Sequence, residues 1–386
     1  TQIPYALMKE VIILQDDGPS GDLENQKAET ILTFCEKCDQ IPEMAPNEGR
    51  LYLWPPVAHT TGKILTNIKK SGHSAEKSTS VATLYLDYVR PGLRPLIDAI
   101  SENLLPEEIT DTKALIMPGN REPQLDDIAR VTSLGAIRAQ IGAEWLGDML
   151  RENRLNSVFQ PIFAVGNIPK PYAHECLIRG TDKTGNVITP DKLFGAAQSA
   201  DLLFQLDRAA RAANVRNAHK AGISGNLFIN FTPSSIYDPD SCLRTTIDVV
   251  SECGLDRNNV VFEVIETEKV RSIEHLGAIL KSYRDSGFRV ALDDVGSGYS
   301  TLNMLPQLQP DIIKIDRELI DHVDQDKYKQ AIVSKLIDLA KQLDIDVVAE
   351  GIERQGELDF LTNHGVDYVQ GYLLGRPEAL PFVASA

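Results

Sequence analysis

Between Glu175 and Gln370, seven apolar runs each carry an acidic, amide or basic residue at or near the end. They are YAHECLIRG with Glu175, LFINF with Asn230, VVFEVIE with Glu263 and Glu266, and VALDD with Asp293 and Asp294. IIKID with Lys314, VVAEG with Glu350 and DYVQGYLL with Gln370 complete the set. A carboxylate inside a β-branched run is costly to bury unless a cation or a partner satisfies it. Carboxylates on four such runs suggest a ring of oxygen ligands around hard divalent cations. Along ECLIR, strand alternation puts Glu175, Leu177 and Arg179 on one face and Cys176 and Ile178 on the other. The first face offers a metal ligand, an apolar floor and a guanidinium suited to phosphate. Asp293 and Asp294 are adjacent and must point differently, so they are placed to serve or bridge two metals. Two ions about 3.5–4 Å apart are the usual device for in-line phosphoester hydrolysis. Lys314 is suited to hold the attacking water, and Glu350 to accept its proton. Singly, each acid is more often a strand-end cap or an ion-pair member. Their recurrence in successive units favours metal.

These residues must be positioned by the elements that carry them. The runs are near-continuously apolar, as in parallel strands covered by helices on both sides. SVFQPIF reads as the first strand of the series, and DKLFGAAQSADLLFQLDRAARAANVRNAHKAG as one long helix. YKQAIVSKLIDLAKQLD places Ile332, Leu336, Leu339, Ala340 and Leu343 on one core-facing stripe. About 250 residues of such alternation fit a (β/α)₈ barrel, whose functional residues gather at the carboxyl ends of the strands. Residues 1–135 differ in texture and are expected to form a smaller α+β domain. Its elements are a strand at Glu10–Leu14, a helical run ending near Cys35, RLYLWPP, a helix over Thr61–Ser71, VATLYLDYV, a helix near Arg94–Leu104, and DTKALIMPG. Their order is compatible with a split βαβ unit. Residues 136–386 then comprise a linker helix around Trp145–Glu152 and the barrel.

Length and composition bound the reading. With 386 residues the chain accommodates two domains, and 42% hydrophobic with 24% charged residues is ordinary for a soluble globular protein. No apolar run approaches the roughly 18 residues of a membrane span. A net charge of −16 argues against duplex nucleic acid as a partner, but not against a small phosphate substrate held with metals. Five cysteines do not read as a secreted disulfide framework, so a reducing cytoplasm is expected. Cys35-Glu-Lys-Cys38 is half a Zn²⁺ site, with His59 and His73 the nearby histidines. Structural Zn²⁺, a redox pair, a plain structural role and a site shared between two copies all remain open.

QPIF, ECLIRG, NFTP, FEVIETE, LDDVGSGYSTL, IKID, VVAEGIE and VQGYLLGRP occur in that order over roughly residues 150–380. Together they resemble the EAL family of cyclic di-GMP phosphodiesterases. The resemblance implies a bacterial signalling enzyme with a TIM-like barrel whose first strand is antiparallel. It also implies hydrolysis of cyclic di-GMP to linear pGpG with Mg²⁺ or Mn²⁺, and a homodimer. By motif position, Glu175, Asn230, Glu263 and Asp293 would hold the first metal and Asp294 the second. Lys314 would assist the nucleophilic water, and Glu350 would be the base. Gln160, Leu177, Arg179 and Gln370 would contact the dinucleotide or order the site. Glu266 would anchor the loop after Asp293-Asp294, with Glu353 in support. Cys176 stands where the family usually has Ala, and Val295 and Ser297 where it has Phe and Thr, which bears on loop order and dimer coupling. The competing reading is a receptor that binds cyclic di-GMP without cleaving it. Such receptors usually lack one or more of these acids, and all are present here.

Overall fold

Alternating apolar residues in the first half and apolar runs in the second produce two different sheets. The computed structural model describes residues 40–41, 45–77, 84–236, 238–265, 273–296 and 301–382. The expected strand at Glu10–Leu14, the helical run to Cys35, the Cys35/Cys38 pair and Glu266 lie outside these residues.

The smaller sheet comes first. Its strands are β1 (Glu48–Trp54), β2 (Leu84–Val89), β3 (Lys113–Pro118) and β4 (Thr132–Ser133), ordered β2-β1-β3-β4. β1 runs antiparallel to both neighbours. β2 and β3 are therefore parallel to each other with β1 between them, and the connection through α2 (Arg90–Ser101) and α3 (Pro106–Asp111) is a split βαβ crossover. Helix α1 (Ala58–Lys70) joins α2 in covering one face, where Ile64, Ile68, Leu93 and Ile97 pack on Leu51, Leu53, Leu84 and Leu86.

Two short helices lead to the larger sheet. α4 (Leu134–Gly142), capped by the Ser133 hydroxyl accepting from the Ala136 N–H, contributes Leu134, Ile137 and Ile141 to the first core. α5 (Glu144–Arg151) puts Leu146, Met149 and Leu150 into another, with Leu155, Ile178, Leu193 and Leu206. Ala143, between the two helices, belongs to the second of these cores.

The second sheet contains β5 (Leu155–Ala164), β6 (Pro171–Thr181), β7 (Val187–Ile188), β8 (Asn226–Asn230), β9 (Val260–Ile265), β10 (Arg289–Val295), β11 (Ile312–Ile315), β12 (Asp346–Ala349) and β13 (Tyr368–Val369). Its order is β5-β13-β12-β11-β10-β9-β8-β6-β7, and an additional β5–β6 pairing closes all but β7 into an eight-stranded barrel. β5 is antiparallel to both β13 and β6, as the resemblance implied. From β6 through β8 to β13 the ring is parallel. The outer helices in chain order are α6 (Pro190–Ser199), α7 (Leu203–Lys220), α8 (Pro239–Glu252), α9 (Ile273–Asp285), α10 (Thr301–Leu308), α11 (Arg317–Ile320), α12 (Lys327–Gln342) and α13 (Gln355–His364). Among the described residues no helix is long and apolar enough to cross a membrane.

Two helix expectations need correction. The single long helix is broken into α6 and α7 at Asp201, whose φ of 57° is left-handed. The turn lets Leu193 and Ala197 of one helix and Leu206 and Ala210 of the other face the same core. In α12 the buried positions are Val333, Leu336, Ile337 and Ala340, whereas Ile332 is 48% and Leu343 49% exposed. That helix carries more apolar residues than one face can hold, so spacing alone left the rotation undetermined.

Ile337→Ala should therefore cost about 2–5 kcal/mol of stability. Ile332→Ala, on the exposed side of the same helix, should change it by less than about 0.5 kcal/mol. Urea midpoints of the two variants measure the difference, and the opposite ranking would restore the stripe read from sequence.

Candidate active site

A period of two along each barrel strand builds the site. Ile162, Ala173, Phe228, Val261, Ala291, Ile312 and Val348 form an apolar layer. Two residues further toward the mouth stand Gln160, Glu175, Asn230, Glu263, Asp293, Lys314 and Glu350, on the same strand faces. The apolar layer is the floor, and the polar set is the layer above it.

Lys314 is at the centre of this layer and only 1% exposed. Its Nζ lies 2.6 Å from Glu263 Oε1, 2.6 Å from Glu350 Oε1, 3.2 Å from Asp293 Oδ1 and 4.0 Å from Glu175 Oε1. Glu175 is held from both sides: Asn230 Nδ2 donates to Oε1 at 3.1 Å and Gln370 Nε2 to Oε2 at 2.8 Å. The Asn230 carbonyl oxygen is thereby left for other partners. Glu263 is fully buried; Lys314 Nζ faces Oε1, and Oε2 has no hydrogen-bond partner among the described residues. Asp293 and Asp294 occupy an irregularity in the β10–β11 register, with Asp294 at a left-handed φ of 57°. The bulge turns both carboxylates toward the mouth. Oxygens of Asp293, Asp294 and Glu350 lie within 4.8 Å of one another and can hold a metal ion.

One ammonium does not balance four carboxylates. Burial pushes the Glu263 and Asp293 carboxyls above their ordinary range, against the pull of Lys314. Burial likewise raises Glu350 to about 8, and burial followed by repulsion from Asp293 raises Asp294 to about 6. The surrounding acids hold Lys314 protonated in spite of its burial. An all-oxygen donor set with uncompensated negative charge and a buried carboxylate oxygen left without a donor fits a hard divalent cation.

The ring opens into two cavities. One of about 190 Å³ is lined by Gln160, Glu175, Glu350 and Gln370 together with Arg317 and Glu353. Gln160 pairs in register with Glu175 and donates through Nε2 to the Gly375 carbonyl at 3.3 Å. Another, of about 790 Å³, is lined by Leu177, Asn230, Asp191 and Phe194. Arg179 ends the same face of β6, and its Nη1 donates to the Ile178 carbonyl at 2.8 Å. Cys176 points the other way into the outer core, where burial raises its thiol. Val295 is buried in that core and anchors the start of its loop.

These motifs sit in a stretch, residues 143–377, that matches the EAL domain model. The chain belongs to the EAL family. NbdA of Pseudomonas aeruginosa, a cyclic di-GMP phosphodiesterase, is 31% identical over 247 residues, which is 62% of this chain and 31% of that protein. PdeG of Escherichia coli, a probable cyclic di-GMP phosphodiesterase, is 34% identical over 53% of this chain and 41% of its own length. The chain thus matches well under half the length of these curated relatives. A standalone EAL protein from Vibrio cholerae, solved with cyclic di-GMP bound, is 32% identical with a TM-score of 0.53, covering 59% of this chain and 94% of that one.

The EAL motifs account for the acidic ring but do not explain what surrounds it. In α7, Asp207 accepts from the Thr232 N–H at 2.7 Å and from Arg211 Nε at 2.9 Å, and Arg211 Nη1 reaches Thr246 Oγ1 at 2.6 Å. This fully buried pair fixes the chain just after Asn230. Arg211 and Asp207 read in sequence as an ordinary i,i+4 surface pair, with nothing to mark their burial. Arg317 was likewise indistinguishable from a solvated residue in a first helical turn.

The raised carboxyls fix a pH dependence. A carboxyl raised in the folded state contributes stability that is full below its unfolded value and is lost as pH rises from there through its folded value. Metal-free protein should lose thermal stability as pH rises from the ordinary carboxyl range, about 4, with the Asp294 contribution gone by about pH 6 and that of Glu350 by about pH 8. Divalent metal should suppress the loss and release protons on binding, so its affinity rises over the same interval. Melting curves with chelator and with Mn²⁺ test this, and identical pH profiles would contradict it.

Proposed function

We propose that this chain hydrolyses cyclic di-GMP to linear pGpG with Mg²⁺ or Mn²⁺. The observation that carries the reading is the complete oxygen donor set gathered around Lys314: Glu175, Asn230, Glu263, Asp293, Asp294 and Glu350. The names of the matched relatives and the cyclic di-GMP bound by the Vibrio cholerae protein support the same substrate.

Glu175, Asn230, Glu263 and Asp293 would hold one ion and Asp294 the second, and ions bound there neutralise phosphate charge and lower the pKa of water. Glu350 takes the proton of the attacking water, whose oxygen forms the new bond to phosphorus. The bond from phosphorus to the 3′ oxygen breaks, leaving a 5′-phosphate; the leaving oxygen takes a proton from solvent, and Glu350 returns to solvent the one it accepted. Lys314 orients the water and meets the charge that builds on the phosphate. Gln160, Leu177, Arg179 and Gln370 contact the dinucleotide or order the ring, and Glu266 anchors the loop that follows Asp294. Residues 1–135 would tune this site rather than complete it.

Chromatography of the products after incubation with cyclic di-GMP and Mg²⁺ or Mn²⁺ tests the reading, and pGpG is expected. Glu350→Gln should lower turnover by about two to four orders of magnitude while binding is retained. Glu175→Ala and Asp293→Ala should lose activity by losing metal. Ca²⁺ should support binding but not turnover, because its larger and looser coordination places water poorly. Tight binding with no pGpG under any metal would make the chain a receptor.

A further inference from the structure

The small cavity beside Glu350 has a charge problem for any phosphate ligand. Glu175, Glu350 and Glu353 all line it, and the cation among its lining residues is Arg317. Arg317 follows Asp316, whose carboxylate caps α11 by accepting from the Glu318 N–H at 2.7 Å. Its side chain then runs across the backbone of Gly351. Gly351 has a φ of 68°, and a Cβ built there would lie 2.3 Å from Arg317 Cγ and 2.6 Å from its Cβ. The residue after Glu350 must be glycine for two reasons: the left-handed turn, and the passage of Arg317 toward the cavity.

At the end of that path Arg317 Nη2 meets Glu353 Oε1 at 2.9 Å, with the two side chains 58% and 42% exposed. A pair this exposed exchanges partners at little cost. Glu353 is itself aimed from behind. Glu357, fully buried, accepts through Oε2 from the Glu353 N–H at 2.9 Å and the Arg354 N–H at 3.0 Å, and through Oε1 from the His322 N–H at 2.8 Å. β11 also stands four places from β6 in either direction around the eight-stranded ring. The strands carrying Arg179 and leading to Arg317 therefore face each other across the mouth, as do the two phosphates of a cyclic dinucleotide across its ring.

We propose that Arg317 is a substrate-binding residue, donating to a phosphate oxygen of the cyclic dinucleotide from the rim opposite Arg179 while Glu353 holds it in place. The inference rests on the proposed function. Its test uses the full chain as wild type, Arg317→Ala, Arg317→Lys and the double variant Arg317→Ala/Glu353→Gln, each measured for KM, kcat and the metal concentration at half activity. Arg317→Ala should raise KM about tenfold, the loss of one charge-assisted hydrogen bond. Its kcat and metal dependence should stay within about twofold, and Arg317→Lys should recover part of the loss. The double variant should remain as weak as Arg317→Ala. An unchanged KM in Arg317→Ala overturns the proposal. So does a double variant restored to wild-type KM, which would mean that Arg317 serves only to neutralise Glu353. A wild type that neither binds nor cleaves cyclic di-GMP would overturn the functional reading, and this inference with it.

Discussion

Everything at the mouth of the barrel depends on one ammonium buried among four carboxylates. Removing each ion from water costs several kcal/mol after relaxation, and mutual attraction repays this only where the geometry is held rigidly. Lys314 contacts Glu263 and Glu350 at 2.6 Å and Asp293 at 3.2 Å, yet net negative charge remains. Such a site resists closing up on itself and attracts cations. Its pKa shifts and its capacity to hold a metal ion are two expressions of that imbalance.

The barrel is what keeps the imbalance from relaxing. Each charged residue is two positions beyond an apolar one on the same strand face, so the floor of Phe228, Val261, Ile312 and Val348 fixes the height of the ring. Departures from regular strand geometry occur where two groups must reach the same space. The register shift and left-handed Asp294 aim adjacent carboxylates together. Gly371 lets the chain after Gln370 pass Ile352, whose carbonyl oxygen would be 2.1 Å from a Cβ at that position. Behind the strands, the buried Asp207–Arg211 pair holds the segment after Asn230. Removing one partner of a pair so fully enclosed would leave an uncompensated buried charge.

The N-terminal part reaches this machinery through a short path. α4 belongs to the first core and α5 to the next, with Ala143 between them. Met149 of α5 presses on β6 at Gly180, where a Cβ would come within 2.7 Å of its sulfur. Gly180 immediately follows Arg179, so α5 packs directly on the strand that carries Glu175, Leu177 and Arg179.

Apolar runs with acids at their ends pointed to the barrel, and the order of the motifs, through the resemblance they carry, to the family and to the residues that the structure gathers in the ring. The split βαβ order was also legible, since alternating apolar residues and amphipathic helices leave little freedom in so small a unit. Other features depended on partners distant in sequence. The rotation of α12 was decided by the surface it packs on, and the break at Asp201 by a core that both flanking helices share. Arg317 looked like any exposed helix-start residue until Gly351 and Glu353, more than thirty positions later, were brought beside it. Periodicity records which face of an element is apolar. Only the closed ring decides which charged residues meet across it, because those distances are set by strands that are not neighbours in the chain.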